Sequence, residues 1–202
     1  MKNRANPYAR ADAKTREARA QGYPARSVFK LQEIDRRMRL LRAGQSVLDL
    51  GAAPGSWSLY ASERVSPTGH VYAIDIKPIP QVFGPNVQVL EGDALSLDSE
   101  PLAAHGPYDV VLSDMAPNTS GSRLADQARS TELFLRALEV AVAHGKPGSH
   151  FAAKIFMSGD YKAAENQVRR AYETVKTIRP EGTRHSSSEV FVVGMSKRRG
   201  LA

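Results

Sequence analysis

Apolar residues along this chain follow two alternating rhythms. Short runs rich in β-branched residues recur from residue 46 onward, and between them apolar positions repeat at three- and four-residue spacing. The runs predict strands at 46–50, 70–75, 87–91, 109–113, 150–156, 175–179 and 190–195. The clearest helical stripe covers 129–144, where Phe134, Ala137, Leu138, Ala141 and Val142 share a face, and Tyr161, Ala164, Val168, Ala171 and Tyr172 form another. Upstream, Val28, Leu31, Ile34, Met38 and Leu41 predict an amphipathic helix that starts at a Ser27 N-cap and ends near Gly44, with Arg36, Arg37 and Arg39 on its outer face. Strands alternating with helices predict an α/β domain whose sheet is largely parallel and covered by helices on both faces.

Residues 1–22 break this rhythm. They hold few apolar residues and read as a flexible basic arm for RNA, with 23–202 as a single domain that includes the basic helix. The charge is local: residues 1–43 hold twelve Lys and Arg against four Asp and Glu, whereas the remainder holds sixteen against seventeen, within a total of +7. Such a segment suits a partner rich in phosphates, although a solvated tail has the same composition. A chain of 202 residues has room for one such domain plus an extension. Cysteine is absent, which excludes disulfides, zinc-thiolate sites and cysteine nucleophiles. Five scattered histidines offer no ligand spacing, so no metal is expected. The charged first twenty residues do not read as a secretory signal, and no apolar run is long enough to span a bilayer, so a cytoplasmic protein without a membrane partner is expected.

The segment SVLDLGAAPGSW places a predicted strand directly before Gly51, with Pro54 and Gly55 leading into a helix near Ser56. Small residues allow close backbone approach to a ligand, and a helix N-terminus offers unpaired N–H groups. Gly51 and Gly55 do not match the G-x-G-x-x-G spacing of dinucleotide sites, which makes a nicotinamide cofactor the weaker reading. Asp75 ends the second strand 24 positions after Gly51, where a carboxylate accepts ribose hydroxyls of a bound adenosine. Asp93 follows the third strand, within reach of an adenine amine. Trp57 opens the helix, to pack beside the cofactor or in the core. Ser56 is expected to cap that helix.

Lys154 interrupts the predicted strand HFAAKIF, where a covered sheet favours apolar residues and an unpaired charge is costly. Asp114 ends another strand. Lys30 lies one turn before Ile34, and Glu189 precedes the apolar run VFVV; each of these would be unremarked alone.

Together the segments RSVFKLQEID, LDLGAAPGSW, LSDMAPNTSG, AAKIFMSGD and SSSEVFVVG occur in the order seen in FtsJ-like ribose 2′-O-methyltransferases, and the chain resembles that family from about Tyr23 to Val193. The resemblance implies a Rossmann-like class I fold with seven strands, the last antiparallel to its neighbours, and S-adenosyl-L-methionine as cofactor. It implies a catalytic set of Lys30, Asp114, Lys154 and Glu189, with Lys154 as general base and Asp114 orienting it and also serving the cofactor site. An ordinary lysine is almost wholly protonated at neutral pH, so such a base depends on surroundings that favour the free amine. The one departure noted from the family is Ser56, where members often carry a second glycine. His185 and Ser186 are expected in a loop at the mouth of the site.

The implied reaction is methylation of a ribose 2′-hydroxyl of large-subunit (23S) ribosomal RNA, at a uridine, with the ribosomal subunit or its precursor as partner. Arg26, Arg36 and Arg37 are expected to hold the RNA backbone. A transfer RNA methyltransferase and a catalytically silent ribosome-assembly factor are the alternatives.

Overall fold

The computed structural model describes residues 7–96, 99–118, 120–181, 183 and 187–200. In chain order its elements are α1 (Pro7–Ala20), α2 (Val28–Met38), β1 (Ser46–Leu50), α3 (Ser56–Val65), β2 (His70–Asp75), β3 (Val87–Glu91), α4 (Ser99–Ala104), β4 (Tyr108–Ser113), α5 (Arg123–His144), β5 (Gly145–Phe156), α6 (Tyr161–Ala171), β6 (Tyr172–Ile178) and β7 (Glu189–Lys197). The strands form one sheet in the order β3-β2-β1-β4-β5-β7-β6. Every pair from β3 to β5 is parallel, and β7 runs antiparallel to both β5 and β6. This is the mostly parallel seven-stranded sheet expected above.

Alternate residues of each strand face opposite layers, which gives two cores. On one side Phe134, Leu138, Phe151 and Tyr172 pack under α5 and α6; on the other Leu31, Ile34, Trp57 and Phe191 pack under α2 and α3. Each fully buried side chain of this size contributes about 1.5–3 kcal/mol relative to exposure.

The first three strands match their predicted limits, and the largest differences lie elsewhere. Residues 7–20, expected as a flexible arm, form helix α1, whose Ala18 is buried against Tyr23 and Val28. Their weak periodicity hides the helix, because a single alanine provides most of its described apolar contact. Helix α2 stops at Met38 instead of near Gly44: Arg39 adopts a left-handed φ of 53° and its N–H bonds to the Asp35 carbonyl. Leu41 is nevertheless buried, so the apolar rhythm outruns the helix. Ser27 makes no side-chain cap. Helix α5 begins six residues earlier than predicted, at Arg123, with Ser122 capping it through the N–H of Ala125. Tyr172, counted in the α6 stripe, is the first residue of β6; its ring still stacks on Phe151 at 5.9 Å.

Close approach of α6 to the sheet depends on Gly194 of β7. A methyl group there would lie 2.6 Å from the Tyr172 ring and 3.0 Å from Val168. Gly194→Ala is therefore expected to destabilise the fold by about 1–3 kcal/mol through overpacking, read as a lower urea midpoint at unchanged slope.

Candidate active site

Strand register brings the candidate residues to one edge of the sheet. Leu50 pairs with both Ile74 and Ser113, and Asp75 pairs with Glu91, so Gly51, Asp75, Asp93 and Asp114 all emerge at or just beyond the carboxyl ends of β1 to β4. The chain leaves β1 toward β2 on one side and returns through β4 on the other, the position where open α/β sheets form a ligand crevice. A cleft of about 500 Å³ opens there, with Gly51, Asp75, Asp93 and Asp114 in its wall.

Gly51 has no substitute at its position. Its φ is +77°, and a Cβ would stand 2.4 Å from Cγ of Met115. The Asp75 carboxylate accepts hydrogen bonds from the N–H groups of Ala53 and Lys77, both at 2.8 Å, which fixes its plane and leaves lone pairs for a ligand. Asp93 accepts from the Leu95 N–H at 2.9 Å in a tight turn.

Three residues expected at the cofactor are placed differently. Pro54, Gly55 and Trp57 are not among the residues lining the cleft. The missing side chain of Gly55 makes room for protein, since a Cβ would meet Gln81 at 2.7 Å and Phe83 at 2.9 Å. The Trp57 indole is buried on Phe191 at 5.5 Å and donates Nε1–H to the Ser27 carbonyl at 2.9 Å, so it is a core residue. Ser56 does not cap α3. Its hydroxyl accepts from the Ala25 N–H at 2.8 Å and donates to the Ala25 carbonyl at 3.1 Å. The two bonds from α3 hold the segment before α2 and thereby set where α2 begins.

Lys30 depends on that placement. Its ammonium lies 2.7 Å from a Glu189 carboxylate oxygen and 5.7 Å from the centre of the Phe191 ring. Lys154 stands on β5, only 6% exposed, and donates to the Asp114 carboxylate at 2.8 Å and also to the Asp114 carbonyl. Lys154 pairs with Phe191 and Phe156 pairs with Glu189, so Lys154 and Glu189 are diagonal neighbours on one face of the β5–β7 ladder, about 7–8 Å apart at such positions. The four residues thus form two lysine–acid pairs on the face covered by α2 and α3. Asp114 belongs to both the cleft and the second pair. Arg26 is half-buried, Arg36 is exposed, and Arg37 is committed to Glu33 at 2.6 Å. His185 and Ser186 lie outside the described residues.

The sequence reading missed three residues here. Arg129 and Glu132 of α5 line the cleft, one helical turn apart. Asp49, fully buried on β1, accepts from the Ser58 hydroxyl at 2.6 Å, while its other oxygen has no hydrogen-bond partner among the described residues. An acid inside the apolar run VLDL carries the same signal as a lysine inside FAAKIF. Burial raises the Asp49 carboxyl to about 7, the Ser58 hydrogen bond opposes this, and the charges of Asp114 and Asp75 add to it.

A seven-stranded sheet of order β3-β2-β1-β4-β5-β7-β6 with β7 antiparallel and a ligand cleft at the strand-order switch is the fold of the Rossmann-like class I methyltransferases. The chain belongs to the FtsJ-like methyltransferase family, whose model matches residues 23–197. It is similar to the ribosomal RNA large subunit methyltransferase E of Sorangium cellulosum, with 62% identity over 96% of this chain and 91% of that protein. The protein of the same name from Myxococcus xanthus is 44% identical over 95% of this chain and 92% of its own length. Among solved structures, a ribosomal RNA methyltransferase from Plasmodium falciparum superposes with a TM-score of 0.75 at 22% identity, over 87% of this chain and 98% of that one. At that identity the likeness concerns the fold.

Because the folded state raises the Asp49 carboxyl, it binds more protons than the unfolded chain between pH ~4 and ~7. The stabilising contribution is full below that window and is lost as pH rises through 7. Thermal unfolding of the cofactor-free protein should show a midpoint that falls across this range, and Asp49→Asn should flatten the slope and raise the midpoint at pH 8. An unchanged slope in the variant would assign the dependence to another group.

Proposed function

We infer that this protein transfers a methyl group from S-adenosyl-L-methionine to a ribose 2′-hydroxyl of large-subunit (23S) ribosomal RNA, at a uridine, in the cytoplasm. The observation that carries the reading is the pairing of Lys154 with Asp114 at the wall of an acidic cleft. Asp75, Asp93, Asp114 and Glu132 line that cleft against Lys77 and Arg129, with Asp49 buried nearby. A surplus of carboxylates favours a cationic guest and disfavours a dinucleotide with its two phosphates. A sulfonium cofactor with an adenosine moiety fits: Asp75 has acceptor capacity for ribose hydroxyls, and Asp93 for an exocyclic amine. The cofactor supplies an electrophilic methyl carbon.

The protein's part in the reaction is positioning and proton removal. As the free amine, Lys154 Nζ would accept the proton of the 2′-hydroxyl that is methylated. The Asp114 carboxylate, 2.8 Å away, fixes the amine and stabilises the ammonium that results. Lys30 and Glu189 bind the ribose beside it. Arg26, Arg36 and Arg37 hold the RNA backbone, together with the basic extension of residues 1–22 attached to a single domain of 23–202. The relatives' naming for the large ribosomal subunit supports this substrate over transfer RNA.

Tritium transfer from labelled cofactor should mark large ribosomal subunits and leave transfer RNA unmarked; the reverse would transfer the assignment to the alternative substrate. Lys154→Ala and Lys154→Arg should each lower kcat by about 10²–10⁴-fold, because arginine remains protonated. Cofactor affinity measured by calorimetry should change little, since Lys154 does not line the cleft. Full activity in Lys154→Arg would remove it from the role of base.

A further inference from the structure

Helix α2 carries Lys30 near its start and a second basic feature at its end. Beyond the left-handed Arg39, the chain turns back to enter β1, and Arg36, Arg39, Arg42 and Arg64 surround a cup of about 480 Å³. They come from three segments: the last turn of α2, the turn before β1 and the last turn of α3. The single acid of the cup, Asp35, is 4% exposed and already accepts from the Leu41 N–H, the Tyr60 hydroxyl and Arg64 Nε. Arg36, Arg39 and Arg42 are exposed, and among the described residues none of the three has an acidic partner.

We propose that this cup seats a backbone phosphate of the RNA at a point remote from the reacting ribose. The proposal rests on the functional reading above and adds a second anchor to it. Helix C-termini favour cations, which accounts for basic residues in the last turns of α2 and α3. It does not account for four arginines around one cup whose single acid, Asp35, is already bonded to Arg64, since the surplus of like charge is repulsive. Guanidinium forks match phosphate oxygens in pairs, so one phosphodiester would relieve the repulsion. Arg39 adds to the case. It occupies a left-handed position where glycine is the ordinary helix terminator, so its side chain is kept at a conformational cost. Nine residues separate Arg39 from Lys30, about 13 Å along the helix axis, so the phosphate seated here is not one flanking the target sugar.

The test uses the full-length protein with large ribosomal subunits and with naked 23S RNA. The double variant Arg39→Gln/Arg42→Gln should raise KM for both RNAs by roughly tenfold, keep kcat and cofactor affinity, and reduce the slope of log affinity against log salt by about one. Arg39→Gly separates binding from folding: its thermal midpoint should equal or exceed that of the parent, because glycine adopts this φ freely, while RNA affinity falls. Arg170→Gln, on the distant α6, should change nothing. An unaltered salt slope and KM in the double variant, with a parent that methylates ribosomal RNA, would overturn the cup and leave the functional reading standing. Loss of affinity for subunits alone, with naked RNA bound as before, would also overturn it by pointing to a ribosomal protein. A parent that methylates no ribosomal RNA would instead remove the reading on which the cup rests.

Discussion

The ion pair between Lys154 and Asp114 is the constraint around which the site is built. A lysine that is almost wholly buried in a covered sheet is tolerable only if its charge is met, since an uncompensated buried charge costs several kcal/mol. The partner cannot be supplied by β5 itself. It comes from the adjacent strand because the β4–β5 register pairs Ser113 with Ala153, which brings Asp114 level with Lys154 as β4 ends. A one-residue slip of either strand would turn its side chains to the other layer and separate the pair. Sheet register and the geometry of this pair are therefore one property.

The second pair is held by different means. Lys30 rides on a helix outside the sheet, and its position depends on how α2 is attached. Ser56 and Trp57, adjacent at the start of α3, bond to Ala25 and Ser27 just before α2. Tyr23 adds a bond from its hydroxyl to Glu63 at 2.6 Å. The loop after β1, α3 and α2 are thus linked through a few short bonds, and Ser56 takes part in that linkage.

The sheet was legible in the sequence because strands buried on both faces must be continuous apolar runs, and four of the candidate-site residues announced themselves as polar groups at the ends of those runs. Lys154 was legible for the opposite reason, as a charge where none belongs. Asp49 carried the same signal and was passed over. Other features depend on tertiary partners that no local pattern encodes. Trp57 and Ser56 look like cofactor and capping residues from their place in the loop, yet the chain arriving from α2 claims both. The end of α2 was misread because Leu41 continues the apolar rhythm while reaching the core from beyond the helix. Helix α1 was missed because its packing rests on Ala18 rather than on a stripe.

Two opposite fields coexist on this small domain. The cleft at the carboxyl edge of the sheet is lined by a surplus of acids, whereas the arginines that follow α2 gather at the edge where β1 begins. Five residues of β1 separate the two edges, about 16 Å at 3.3 Å per residue, which exceeds the Debye length of about 8 Å at physiological salt. The two fields therefore interfere little through solvent. Lys30 and Glu189 form a neutral pair at the carboxyl edge, because Glu189 is level with Phe156, three residues past the Ala153 that pairs with the last residue of β4. Helix α3 joins the two ends, since it starts at Ser56 just after the cleft residues Gly51 and Ala53 and its last turn carries Arg64 of the basic cup.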